Sequence, residues 1–389
     1  MLKPILKIEH LTKTYGGKPA VQDLCLHIRP GELCAFIGHN GAGKTTTLKC
    51  CCGIQQFDAG EIYVDGISVR DDPLECKRRL AYLPDDPQLY DYMTGIQYLD
   101  FIADIFGVSA AQRAQRIRQY GDAFGLTPDL AQSIGAYSHG MKQKLAIIAA
   151  LLHEPKLILM DEPFVGLDPL ASHQLKTQMK AFCAHGGAIF FSTHGGGRET
   201  LRPGSHFAQG SAGARGCHGA GARRRHTGRG LSGAGGYGGS AMIRALLKKQ
   251  LLELGAAFVR SSKTGKRRSR AGVFGYALLF IVLMLLVMLS FGAMALPMAL
   301  TLVPQGLDWL YFVLMELSAL TVSVLASAFT SYGHLFRCRD NQQLLALPIP
   351  PDAIFAVRCG GVYLTGLIYL LLAWVPSVVC YALAAPHPG

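Results

Sequence analysis

Short apolar runs punctuate the first half of the chain. Leu33–Ile37 (LCAFI), Leu157–Met160 (LILM) and Ala188–Phe191 (AIFF) are bounded by polar or glycine-containing segments, with helix-like stretches between them. Continuous runs of four or five apolar residues predict buried strands. Their alternation with helices predicts an α/β domain. Met1 to Leu11 alternates polar and apolar positions, which predicts a strand rather than a cleavable leader. The pattern stops after His194. Residues 195–241 are roughly one-third Gly against an average near 7%, carry many Arg and contain one acid, Glu199. With no helical or strand period, they are expected to be a disordered Gly/Arg-rich linker. Met242–Leu254 regains helical spacing with a Lys pair, which predicts a helix lying on a membrane surface. Three apolar stretches follow, Val273–Leu296, Trp309–Tyr332 and Val362–Ala384, each long enough to cross a bilayer as a helix.

Charge and composition refine this picture. Half of the 389 residues are hydrophobic and the net charge is +12. Much of the positive excess is local, in Arg223–Arg225 and Lys263–Arg270, so no nucleic acid partner is expected. Basic residues precede the first apolar stretch, Pro304–Asp308 after it carries none, and Arg337 and Arg339 follow the second. The positive-inside rule then places the N-terminal domain and the Asn341–Asp352 loop in the cytoplasm, with the C-terminus outside. Glu316 would lie within the second span, where an acid is a functional candidate. The eleven cysteines include the adjacent trio Cys50–Cys52 but no C-x-x-C pair, so they read as reduced thiols rather than a metal site.

The candidate chemistry sits at strand ends. Gly38–Thr46 (GHNGAGKTT) fits the phosphate-loop pattern G-x-x-x-x-G-K-[ST], after a strand and before a helix. Gly41 and Gly43 let backbone N–H groups turn inward around phosphate oxygens, and the helix N-terminus adds positive potential. Lys44 would reach the β- and γ-phosphates, and the Thr45 hydroxyl would ligate Mg²⁺. Gly38, Asn40, Gly41, Gly43, Lys44, Thr45 and Thr46 form the expected nucleotide set. Leu157–Pro163 (LILMDEP) is a strand ending in two acids. Asp161 is expected to hold Mg²⁺ through water, and Glu162 to act as general base. His194 ends the strand AIFFSTH and is expected near the γ-phosphate. Tyr15 is a candidate for stacking on adenine.

Together these motifs resemble the ATPase subunit of an ABC transporter. The likeness runs from about residue 4 to residue 194 and is carried furthest by YSHGMKQKLAIIAALLHEPKLILMDEPFVGLDP. The resemblance implies an ABC-type P-loop ATPase fold, Mg²⁺-ATP hydrolysis and a head-to-tail dimer with a second ATPase subunit. Ser138 and Gly140, in the signature segment, would close over ATP held by that partner. Gly166-Leu167-Asp168 would be the D-loop, with Asp168 near nucleotide, and His194 the switch histidine. Two positions differ from the family pattern. His139 replaces a signature glycine, and Asp85 stands where a glutamine usually links nucleotide to the permease. Residues 242–389 resemble the start of an ABC exporter permease, with LLALPIPPDAIF as the segment touching the ATPase. The implied location is the inner (cytoplasmic) membrane, with the ATPase domain on its cytoplasmic side.

The genetic code offers a reading of the break. Shifted by one base, the codons from Gly195 to Ala214 permit a sequence much like the family's continuation, and those of Gly230–Gly235 permit Ala-Ser-Leu-Glu-Gln. Met242-Ile243 must be ATG-ATH, which spells the stop codon TGA in that frame. A frameshift near Gly195 would therefore fuse an ATPase, residues 1–194, through out-of-frame residues 195–241, to a juxtamembrane segment, 242–272, and a partial all-α permease with three spans, 273–389. The expected activity is ATP hydrolysis driving export. One rival is a non-catalytic frameshift product that binds nucleotide weakly or misfolds. Another is a soluble ABC ATPase acting on ribosomes or DNA, against which the apolar spans and the lack of a second phosphate loop argue.

Overall fold

The structure is a computed structural model that describes residues 3–193, 206–209, 239–259, 268–331 and 341–385. The chain falls into two compact units. One comprises residues 1–245 with 340–351, and the other residues 246–339 with 352–389.

In the first unit the hairpin β1 (Leu6–Tyr15) and β2 (Lys18–Ile28) joins β4 (Ala59–Val64) and β5 (Ile67–Ser68) in an antiparallel sheet ordered β2-β1-β4-β5. A second, parallel sheet has the order β6-β7-β8-β3-β9, with β3 at Leu33–Ile37, β6 at Leu80–Leu83, β7 at Leu157–Met160, β8 at Ala188–Thr193 and β9 at His206–Gln209. The expected strands Leu33–Ile37 and Leu157–Met160 form as read, and β8 runs two residues beyond AIFF. All four β7 side chains are buried, as a strand covered on both faces requires. One apolar core joins the two sheets through helix α1 (Lys44–Cys51): Ile8, Leu11, Ile62 and Val64 share it with Leu48, Phe36, Leu159 and Phe190. Cys50, Cys51 and Cys52 lie in this core as free thiols, and burial pushes Cys50 up to about 11.

The other helices of this unit are α2 (Pro73–Arg79), α3 (Gly95–Phe106), α4 (Ala110–Ala123), α5 (His139–Leu151) and α6 (Pro169–Ala184). Each begins on a side chain that accepts an otherwise orphaned N–H: Asp72, Thr94, Ser109, Ser138 and Asp168. At α3, Thr94 and Gln97 form a reciprocal capping box.

Strand β9 departs from the expectation of an unstructured linker over 195–241. Its four residues pair in parallel with β3, from Cys34 opposite His206 to Ile37 opposite Gln209. The pairing occupies backbone groups that would otherwise leave β3 an open edge. The rest of the linker, residues 195–205 and 210–238, lies outside the described residues.

Helix α7 (Gly239–Val259) contains the expected Met242–Leu254 segment. Among the described residues, α8 (Arg270–Leu302), α9 (Asp308–Ser331) and α11 (Pro351–Ala384) are the helices long and apolar enough to cross a membrane. At 24 to 34 residues and about 1.5 Å per residue, each exceeds a hydrocarbon core of roughly 30 Å. Helix α8 continues past the expected end at Leu296, through Pro297, and α11 starts eleven residues before Val362. The Asn341–Asp352 segment, read as a loop, contains the short helix α10 (Asn341–Ala346); Leu344 and Ile349 there are buried, which favours local order. Glu316 sits on an exposed face of α9, while Tyr311, Met315 and Ala319 on the same helix are buried.

Candidate functional site

The parallel register sets the site. Strands β7, β8 and β3 lie side by side, with Met160 opposite Phe191 and Ile37 opposite Thr193, so their carboxyl ends align. The residues that follow them are Asp161 and Glu162 after β7, and Gly38 after β3. Such an edge is where a parallel sheet binds ligands. His194, the residue after β8, lies outside the described residues.

The phosphate loop turns from β3 into α1. Its N-cap is Gly43, at φ 80°, and no side chain accepts the first N–H groups of the helix. No acid stands in the first turn either. These donors and the helix dipole are therefore presented to an anion. A Cβ on Gly43 would come 2.2 Å from the Ala20 carbonyl oxygen, so the glycine is also what lets β2 close on the loop. Lys44 is buried at 5% exposure and donates from Nζ to the carbonyl oxygens of Gly38 (2.7 Å) and His39 (3.1 Å). The ammonium is thus held across the mouth of the loop by neutral acceptors, which leaves its charge uncompensated for phosphate. Asn40, Gly41 and Thr45 are exposed, with Gly38 and Thr46 half-buried. Tyr15 ends β1 with its ring 49% exposed and Lys13 Nζ 5.1 Å from its centroid. A ring so presented can stack on a base.

Asp161 is the most informative residue. It is 1% exposed, and its Oδ1 accepts a 2.5 Å hydrogen bond from the Ser192 hydroxyl. Among the described residues its buried Oδ2 has no hydrogen-bond partner. A buried carboxylate oxygen left unpaired is costly, and a cation or its water shell is the natural complement. Asp161 and the Thr45 hydroxyl are oxygen donors of the kind Mg²⁺ takes, with waters and phosphate completing its shell. The residues present fit that ion.

Ser192 was not legible as a site residue in the sequence. Besides donating to Asp161, its oxygen accepts the Glu162 N–H at 3.0 Å. It therefore fixes both acids from the neighbouring strand. Glu162 itself adopts φ 48°, a strained value for a residue with a Cβ, of the sort that persists at functional sites. The only hint in the sequence was a serine two places before the strand-ending histidine.

Asp85 follows β6 at the same sheet edge, exposed, with Oδ1 accepting the Asp86 N–H at 2.9 Å. Ser138 and Gly140 come from α5 rather than from the strand ends. Ser138 is exposed and caps the helix by accepting the Met141 N–H at 3.2 Å. His139, which stands in place of a signature glycine, is the first residue of α5 and takes no positive φ. Space for it comes from Gly166, where a Cβ would lie 2.3 Å from the imidazole. Asp168 accepts the Ala171 N–H at 2.7 Å as the N-cap of α6.

Comparison with known proteins places this arrangement. Residues 21–165 match the ABC transporter family. Over 190 residues, 49% of this chain, the sequence is 36% identical to the Bacillus subtilis ABC transporter ATP-binding protein YxlF, covering 62% of it. It is 33% identical, also over 190 residues and 49% of this chain, to the B. subtilis ABC-type transporter ATP-binding protein EcsA, covering 77% of that protein. A solved ATP-binding subunit of an ABC transporter is 37% identical, with coverage of 49% of this chain and 79% of that one and a TM-score of 0.47. The chain thus spans less than two-thirds of YxlF. A phosphate loop after β3, an acid pair after β7 and this extent of identity show that the chain belongs to the ATP-binding proteins of ABC transporters, with membrane-length helices following its ATPase domain.

Proposed function

We propose that residues 1–194 bind and hydrolyse Mg²⁺-ATP, and that the activity encoded is the energising step of an exporter in the cytoplasmic membrane. The observation that carries this reading is the buried, half-unpartnered Asp161 carboxylate, fixed by Ser192 beside Glu162 and the phosphate loop. Lys44 and the free N–H groups at the start of α1 bind the phosphate oxygens and offset charge that grows on them during transfer. Glu162 accepts the proton of the attacking water as its oxygen bonds to the γ-phosphorus and the bond to ADP breaks. Bound Mg²⁺, held by Thr45 and Asp161, neutralises phosphate charge. His194 contacts the γ-phosphate, Tyr15 stacks on adenine and Asp85 relays to the permease.

The working form in this reading is a head-to-tail pair. Ser138 and Gly140 of one subunit face ATP held by Lys44 of the other, and Asp168 lies at the shared edge. The membrane partner is an ABC permease, and LLALPIPPDAIF, Leu344–Phe355, is the segment that touches the ATPase. Support comes from the grouping of residues 340–351 with the ATPase unit and the burial of Leu344 and Ile349. The ATPase unit faces the cytoplasm, and no nucleic acid is involved.

A second reading, the frameshift, is favoured by a different observation. The family likeness stops near residue 194, and codons 195–214 and 230–235 permit its continuation one base over. On this reading residues 195–241 replace the closing part of the ATPase, and the product is inert. Hydrolysis of ATP by the purified full chain tests the activity. A Glu162→Gln change is expected to lower turnover by about 10²–10⁴-fold while leaving ATP binding. No turnover above that variant supports the inert product. Sequencing the locus tests the seam: if the restored frame upstream of Met242 yields no ABC-like residues, the frameshift is wrong.

A further inference from the structure

We propose that His10, Asp23 and Cys25 form a surface site for a divalent ion of the zinc class, clipping β1 to β2 apart from the nucleotide site. Among the described residues these three bring one ligand atom each within 4.8 Å of one another. The local backbone explains how. Pairing between β1 and β2 shifts register between Ile8, opposite Leu26, and Leu11, opposite Leu24. Glu9 and His10 thus face Cys25 alone, a bulge that re-aims a side chain. Asp23 lies two residues before Cys25 on β2, at a second register shift between Leu11, opposite Leu24, and Lys13, opposite Val21. His10 and Asp23 both hold positive φ, 52° and 48°. Neither has a glycine's freedom, so both carry strain.

The ligand set is that of zinc rather than of magnesium or calcium: one imidazole nitrogen, one thiol and one carboxylate. His10 Nδ1 lies 2.7 Å from Asp23 Oδ1 and 3.9 Å from Cys25 Sγ. A tetrahedral zinc ion holds such atoms roughly 3.3–3.7 Å apart, so side-chain torsions need move them by only about 1 Å. The groups behind the ligands suit the role. The His10 N–H donates to Cys25 Sγ at 3.3 Å, which holds the sulfur in place. The Asp23 N–H donates to Thr12 Oγ1 at 3.1 Å, which fixes its loop. Side chains of His10 and Asp23 are 62% and 65% exposed, so water can take the fourth position. Cys25 is also reachable. Of the described cysteines, only it and Cys359 are not buried. On binding, the Cys25 S–H bond breaks, sulfur bonds to the ion, and the proton leaves to the buffer.

The test uses the full chain in detergent, stripped with a chelator and titrated with Co²⁺, then Zn²⁺. The expected result is a thiolate-to-cobalt charge-transfer band that Zn²⁺ displaces, with release of a proton. Cys25→Ser abolishes the band, and His10→Ala weakens binding at least about tenfold. Cys359→Ser and Lys44→Ala leave the band unchanged, which separates this site from both the other described thiol that is not buried and the nucleotide site. Should His10→Ala fail to fold, the conservative Cys25→Ser decides alone. A wild-type chain without the band, or a band that survives Cys25→Ser, overturns the proposal and leaves a plain His10–Asp23 ion pair.

Discussion

The two units of this chain are both rich in apolar residues and dispose of them in opposite ways. In the ATPase unit, Leu6, Ile8, Leu157, Leu159 and Phe190 have no exposed surface. In the helical unit, Leu279, Leu289, Leu317 and Leu383 are each more than 60% exposed. The first pattern buries apolar surface against itself and leaves strand ends for chemistry. The second leaves it exposed on helices long and apolar enough to cross a bilayer, a form in which every backbone group is satisfied inside the helix. Polar residues differ accordingly. Asp161 and Ser192 are buried to build a site, whereas Tyr311 is buried to donate from its hydroxyl to the Ser377 carbonyl oxygen at 2.7 Å, tying α9 to α11.

One charge inserted in each unit should break the symmetry most sharply. Leu286, 56% exposed on α8, and Leu170, 67% exposed at the start of α6, look alike by exposure alone. Leu286→Arg is expected to cost about 3 kcal/mol of membrane insertion, read as a chain extracted by alkaline wash. Leu170→Arg should change stability by no more than about 0.5 kcal/mol and leave the extraction unchanged. Equal behaviour of the two variants would remove the distinction between lipid-facing and water-facing surface.

Protonation probes the interior of the first unit. His153 stacks on Phe106, with ring centroids 3.6 Å apart, and its Nε2 lies 3.2 Å from the Leu80 carbonyl oxygen. Burial, and to a lesser degree the nearby Arg116 charge, pull its pKa from 6.5 to about 4. The unfolded chain therefore binds the extra proton first. Stability is full above pH 6.5 and falls as pH drops towards 4, by about 3 kcal/mol in all. Urea unfolding of this unit across that range measures the slope, which His153→Gln should reduce. A slope unchanged by the substitution would assign the acid sensitivity elsewhere.

Ser192→Ala is expected to cost about 2 kcal/mol of stability, because it leaves the Asp161 Oδ1 without its donor and the Glu162 N–H without its acceptor. It should also slow ATP hydrolysis about tenfold with nucleotide affinity retained, since Lys44 and the loop are untouched. Thermal unfolding and turnover read the two effects separately.

Local pattern made much of this legible. Runs as continuous as LCAFI and LILM can be little but buried strands, and Gly-Lys-Thr after a strand specifies both a turn and a helix start. The acids following LILM were placed by the same logic. What depended on contacts distant in sequence was not legible. Ser192 acquires its role only when β8 lies beside β7. His139 fits because Gly166, far along the chain, lacks a Cβ. Strand β9 owes its existence to the edge of β3 rather than to any period of its own. The His10–Asp23–Cys25 cluster needed a bulge and two left-handed residues to assemble, and neither is written as a motif.

The proposed function rests on the Asp161 carboxylate, whose buried Oδ2 has no hydrogen-bond partner among the described residues. The most direct test is ATP affinity of the full chain with and without Mg²⁺, for the wild type and for Asp161→Ala. Mg²⁺ is expected to tighten wild-type binding about tenfold, or roughly 1.4 kcal/mol, and to leave the variant's affinity unchanged. An equal gain in both chains would contradict the assignment of this carboxylate to the metal.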